Sequence, residues 1–199
     1  MYKKLTCTVF LLFFIFLSKN SYGFLVNEIV GSVDNIPITL NELYFFNNFN
    51  RINNLKYNKF NHRFSKSSLK KSLNVYINRL LILRQEKKFG AVKISERQID
   101  AYIKGFEKKF KMLHKNMLFS VFLKTYGFNK IMFVDYVKNI LLEKEFIHER
   151  LHFFLYSFEK SISTPSSTKK IQSRELLSRL KDWVNRLRRR ANIEINDNY

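Results

Sequence analysis

The residues best equipped for chemistry in this chain are His148-Glu149-Arg150-Leu151-His152, an H-E-x-x-H match. On a helix, histidines four apart share a face and can hold a zinc ion. The glutamate between them can then take a proton from a metal-bound water. That reaction needs a third protein ligand. The extended form of the motif brings a glycine and a histidine soon after the second histidine, and Phe153 to Lys160 holds neither. Glu159 and Glu175 are further carboxylates, but neither belongs to a second motif. Arg150 also places a cation where an uncharged residue is usual. The first reading of His148 and His152 is therefore as solvated helix residues, with no metal and no cofactor assigned. A zinc-dependent peptidase stands as the alternative. His62 and His114 lie alone. The five glycines are scattered, so no phosphate-binding loop exists.

Other residues point to binding rather than catalysis. Arg186, Arg188, Arg189 and Arg190 make a basic cluster. It complements the negative end of a helix, and it offers a patch for anionic lipid headgroups. The chain has 21 Phe and 10 Tyr, more than one small core obviously requires. Phe119, Phe122, Phe153, Phe154, Tyr156 and Phe158 are candidates for exposed apolar contacts with a client, against the alternative that they are ordinary core. A formal net charge of +20 attracts anionic partners: nucleic acid, lipid headgroups or acidic chains.

The leading residues narrow that choice. Lys3 and Lys4 precede an apolar run from Leu5 to Leu17, and Ser21 and Gly23 are small residues at the positions a signal peptidase reads. Residues 1–23 therefore read as an export signal, with an uncleaved anchor as the alternative. The run is too short to span a bilayer, which takes roughly 20 apolar residues. Export argues against nucleic acid as the partner. The only cysteine, Cys7, lies within this leader, so the rest of the chain has no thiol chemistry.

The elements that must position these groups are mostly helical. Val26 to Leu43 reads as two short strands around an Asp34-Asn35 turn, then a helix start capped by Thr39 with Glu42 reaching back. The asparagines from Asn47 to Asn54 weaken that helix, and Asn53 to Ser65 reads as loop. Ser65 to Lys88 carries Leu69, Leu73, Tyr76, Ile77, Leu80, Leu81 and Leu83 at helical spacing and stops at Gly90. Ser95 and Gln98 form a second capping box ahead of a stripe of Ile99, Tyr102, Ile103, Phe106 and Phe110. A helix over about Met117 to Tyr126 ends at Gly127. Asn129 caps a long one expected to run from Lys130 to about Leu151, which leaves the H-E-x-x-H match at its fraying end. Residues 157–172 read as a linker, rich in serine and threonine around Pro165. A last amphipathic helix holds Leu176, Leu177, Leu180, Trp183, Val184 and Leu187. Ile193-Glu194-Ile195 then alternates like a strand. An isolated hairpin is marginal in water, so this strand is expected to pair beside Ile29 to Val33. The expected fold is mainly α, with a small sheet made from both chain ends. Residues 24–156 form the helical body, and residues 173–199 return to complete the same domain.

In order and spacing, these features resemble the N-terminal domain of SurA-type periplasmic chaperones. Val33-Asp34-Asn35-Ile36-Pro37-Ile38-Thr39 is similar to the family's strand, turn and Pro-Ile-Thr helix start, with Asn35 where glycine is usual. Leu80 to Gly90 followed by Ile94-Ser95-Glu96, the step Leu123, Gly127, Phe128 and Phe133, and the return from Trp183 to Ile195 look like the rest of the pattern. Many family members insert prolyl isomerase domains before the returning helix. Residues 157–172 are too few for one. The resemblance therefore implies a non-enzymatic periplasmic chaperone that holds unfolded exported proteins, outer-membrane β-barrel precursors among them, without isomerase activity. A zinc-dependent peptidase and a structural subunit of an envelope assembly, docked on an anionic membrane surface through its basic face, remain the competing expectations.

Overall fold

Asp34 and Asn35 both adopt positive φ, 49° and 68°. Two such residues in succession make the tight turn that matches the twist of a β-hairpin, and Asp and Asn are the non-glycine residues that tolerate it best. They join β1 (Ile29–Val33) to β2 (Ile36–Thr39). The computed structural model describes residues 27–54, 64–159 and 169–196. The expected export signal lies outside the described residues, as do most of the expected loop after Asn53 and the middle of the expected linker.

Six helices and a third strand follow: α1 (Leu40–Asn53), α2 (Lys66–Phe89), α3 (Glu96–Leu113), α4 (Phe119–Thr125), α5 (Lys130–Glu159), α6 (Lys169–Arg190) and β3 (Ile193–Ile195). The strand order is β2-β1-β3 and all pairing is antiparallel. Val33 opposes Ile193 and Gly31 opposes Ile195, so the tail does pair beside the opening strand. Pro37 sits on edge strand β2, where its missing N–H breaks no central ladder. The register slips between Ile29 and Gly31. This bulge lets Val30 and Val33 reach the same core.

The chain ends are also tied by side chains. Asp34 accepts from the Asn192 amide at 2.9 Å and is ion-paired with Arg84 of α2. At Gly31 a Cβ would meet the Glu194 carbonyl oxygen at 2.8 Å. Backbone atoms at that distance cannot give way cheaply, so only glycine lets β3 dock. Gly31→Ala is expected to destabilise the chain by roughly 1–3 kcal/mol. Hydrogen exchange checks it: the Asn196 amide, which bonds the Val30 carbonyl, should lose protection.

Both capping boxes form as expected. Thr39 and Glu42 bond reciprocally at the start of α1, and Ser95 and Gln98 at the start of α3. Gly90 closes α2 in the left-handed region at φ 58°. Two expectations need correction. First, α5 runs on to Glu159 rather than stopping near Leu151, because no proline or glycine follows until Pro165. The H-E-x-x-H match therefore lies inside a continuous helix. Second, the linker over 157–172 is shorter than expected, since Ser157–Glu159 belong to α5 and α6 begins at Lys169.

The buried apolar residues fall into two clusters. One lies under the sheet, where Val30, Val33 and Ile38 meet Leu73 and Ile77 of α2, Phe146 and Phe154 of α5, and Trp183 and Leu187 of α6. The other is largely aromatic and packs Phe45 and Phe49 of α1 against Phe106, Phe110, Phe122 and Phe133. Helix α1 serves both: Leu43 and Phe46 enter the first cluster, and Phe45, Phe49 and Ile52 the second. Two of the asparagines of α1 prove to be cross-links rather than weak points. Asn48 donates to the Tyr126 hydroxyl and Asn53 to the Tyr102 hydroxyl, each at 2.9 Å.

Candidate functional site

The aromatic cluster opens to the surface between α3, α4 and α5. Ile103, Phe119, Leu123, Phe133 and Val134 line a depression of about 160 Å³ there. Glu107, Ser120 and Lys130 form its polar rim. The floor is rigid for a physical reason. Phe119 packs edge-on to Phe133 with ring centroids 5.0 Å apart, and it also contacts Phe106, Phe110 and Phe122. Interlocked aromatic pairs of this kind add about 0.5–1.5 kcal/mol each beyond their buried area. Helix α4 is held in place by short connections: Asn129 caps α5 through the Met132 amide, and Gly127 turns at φ 77°.

Other apolar side chains on or beside α4 and α5 stay in water without lining this opening. Leu118 is 72% exposed and Ile131 is 74% exposed, and Val121 and Met132 are exposed as well. Exposed apolar groups in number are unusual on a surface that need bind nothing.

The aromatic residues expected as client contacts divide. Phe119 is half-buried and lines the depression. Phe122 is 1% exposed and Phe154 is 7% exposed, so both are core rather than contact residues. Phe122 is the neighbour of Phe45, Phe110 and Phe119, and Phe154 packs under the sheet. Their burial depends on partners distant in sequence, which local spacing does not reveal. Phe153 and Tyr156 are exposed on α5, remote in sequence from the depression. The Phe158 side chain lies outside the described residues.

The arginine cluster divides too. Arg186, Arg189 and Arg190 are exposed. Arg188 instead donates to Asn78 at 2.7 Å and to Asn74 at 2.9 Å, which fastens α6 to α2. It is therefore a packing residue rather than a free basic group. Arg190 joins Arg84 and Lys88 around an open cavity of about 400 Å³, floored by Leu81, Leu187 and Ala191. Arg84 is engaged by Asp34, so Lys88 and Arg190 are the two cations left to favour an anion there.

His148 and His152 are both exposed on α5, with Nε2 atoms 3.3 Å apart. Among the described residues, the one group of three or more acidic, histidine or cysteine side chains close enough to share an ion is Glu145, His148 and Glu149, all on this helix; His152 is not part of it. A peptidase would need a further wall to hold substrate and a ligand from another element. Glu159 side-chain placement lies outside the described residues, and Glu175 pairs with Arg179 at 3.0 Å. Arg150, the cation inside the match, points elsewhere. Its guanidinium lies 5.3 Å from the ring centres of Trp183 and Phe154.

The sequence reading passed over Arg79. It is buried in α2, pairs with Glu143 of α5 at 3.1 Å, and stacks 4.5 Å from the centre of the Tyr136 ring. Burial raises the Glu143 carboxyl above its ordinary range, and Arg79 opposes that rise. Burial also pushes the Tyr136 hydroxyl up to about 12. The available signal is an arginine directly before the apolar run Leu80 to Leu83 and two residues after Ile77. No helix among the described residues is long and apolar enough to cross a membrane. No protein-family model matches this chain, and no curated protein matches it either.

Proposed function

We propose that this chain is a chaperone-like binder of unfolded exported proteins in the periplasm, working without catalysis and without prolyl isomerase activity. The observation that carries this reading is the apolar depression between α3, α4 and α5, together with Leu118, Val121, Ile131 and Met132 left exposed on or beside two of the helices that form it. A holding protein needs apolar surface that is preformed, shallow and rimmed by polar groups, so that clients bind without being trapped. The excess of basic over acidic residues, 36 to 16, favours acidic stretches of such clients. The order of hairpin, helices and returning strand agrees with the SurA-type resemblance.

Light scattering of an aggregating client tests it. Wild-type protein is expected to suppress aggregation at equimolar ratio. The double variant Leu118→Asp, Ile131→Asp should lose most of that effect at an unchanged unfolding midpoint, because both residues are exposed and carry little of the core. Absence of suppression by the wild type would sink the reading.

One observation favours a second reading, docking of a structural subunit onto an anionic surface of the envelope. It is the cavity shared by Arg84, Lys88 and Arg190. Sedimentation with anionic but not neutral vesicles would support it.

A further inference from the structure

Glu145, His148, Glu149 and His152 follow one another at spacings of three, one and three residues along α5. That pattern puts all four on one stripe of a helix. The stripe faces water: both histidines and both glutamates are exposed. The two His Nε2 atoms are 3.3 Å apart, and the rings meet nearly at right angles, 79°. Nitrogen ligands about 2.0–2.1 Å from a tetrahedral zinc ion are separated by roughly that same distance. The other ring nitrogen of His148 faces a carboxylate, with Nδ1 4.0 Å from Glu145 Oε1. A carboxylate behind a histidine is the common way to fix the ring and raise its basicity towards a metal. Ligand atoms of Glu145, His148 and Glu149 all lie within 4.8 Å of one another.

We propose that His148 and His152 bind a late first-row divalent ion (zinc, copper or nickel) through their Nε2 atoms, with Glu145 orienting His148. Imidazole pairs suit these metals and not magnesium or calcium. Two negative side chains on the stripe favour a cation locally, in a chain that is otherwise strongly basic. Arg150, the nearest cation in sequence, is engaged with the rings of Trp183 and Phe154 on another face of the helix. Both histidine ligands come from one exposed face of one helix, so water completes the coordination. What the site supplies is a clamp across two turns of α5. This inference does not rest on client binding, and either can fail without the other.

Untagged full-length protein is titrated with zinc against a chromophoric chelator, and with copper(II) followed by electron paramagnetic resonance. One ion per chain is expected, with two nitrogen donors in the copper spectrum. His148→Ala and His152→Ala should each weaken zinc binding by at least about tenfold, with helical content unchanged by circular dichroism. Glu145→Gln should weaken it by about tenfold, the low end for an orienting carboxylate, and Glu145→Asp should restore part of the loss. Failure of the wild type to take up zinc overturns the proposal. So does a double histidine variant that binds as tightly as the wild type, since the 3.3 Å approach is then a hydrogen bond between two neutral rings. A Glu145→Gln variant that matches the wild type overturns the orienting role.

Discussion

Phe45→Ala is expected to lower the unfolding free energy by about 3–5 kcal/mol, the range for emptying a fully buried phenylalanine site. Phe45 is completely buried. Its ring stacks on Phe128 with centroids 4.0 Å apart, meets Tyr136 edge-on at 4.9 Å, and also contacts Phe122, Tyr126 and Phe133. The neighbours come from α4, α5 and the turn between them, and they hold one another, so the space cannot close by a single side chain moving. Urea unfolding of the purified variant checks the figure. The variant also tests the site. Phe122 and Phe133 link Phe45 to Phe119, so loosening the cluster should weaken the proposed client holding although Phe45 never reaches the surface. A loss below about 1 kcal/mol would mean the aromatic cluster is not the support it is taken to be.

Arg79→Met is expected to cost about 3–5 kcal/mol, as removal of one partner from a buried ion pair does. Methionine fills much of the volume but leaves Glu143 without its cation. The Tyr136 carbonyl also loses a donor, since Arg79 Nη2 bonds it at 3.3 Å. The effect should depend on pH, and the sign follows from Glu143. Its carboxyl is raised in the folded protein by burial, with Arg79 holding the rise down. A raised carboxyl binds its proton more tightly when folded than when unfolded. Stability therefore falls as pH climbs from the ordinary carboxylate value through the folded one, and is level above it. Without Arg79 the folded value rises further, so the fall is deeper and extends to higher pH. The variant should lose more stability relative to wild type at pH 8 than at pH 4, measured by urea unfolding at each. An equal loss at both would show that Arg79 acts only by packing.

Much of the fold is legible because its signals are local. Thr39 with Glu42 and Ser95 with Gln98 announce helix starts through bonds that close within four residues. Gly90 announces a stop through its own backbone freedom. The alternation of Ile193-Glu194-Ile195 announced a strand, and its partner followed because a lone hairpin is weak. What was not legible depends on partners far along the chain. Phe119 and Phe122 look alike in sequence, yet one lines the depression and the other is core, because α4 turns Phe122 towards Phe45 and Phe110. Asn48 looked like a helix breaker because its bond to Tyr126 spans 78 residues. Arg188 looked free because Asn74 and Asn78 are more than 100 positions away. The end of α5 was misplaced for a different reason. The expected stop was set at Leu151, the last residue of the apolar stripe, whereas Phe154, three residues on, continues that stripe under the sheet and no proline or glycine follows until Pro165.

The middle position of β1 has a consequence for how the molecule comes into being. A chain made or threaded from its beginning presents β1 and β2 early, yet one edge of β1 stays open until Ile193 to Ile195 arrive, some 160 residues later. Closing so long a loop is slow, and it cannot begin before the last segment is available. The three-stranded sheet is thus completed only once α6 and β3 are in place, whatever has formed before them.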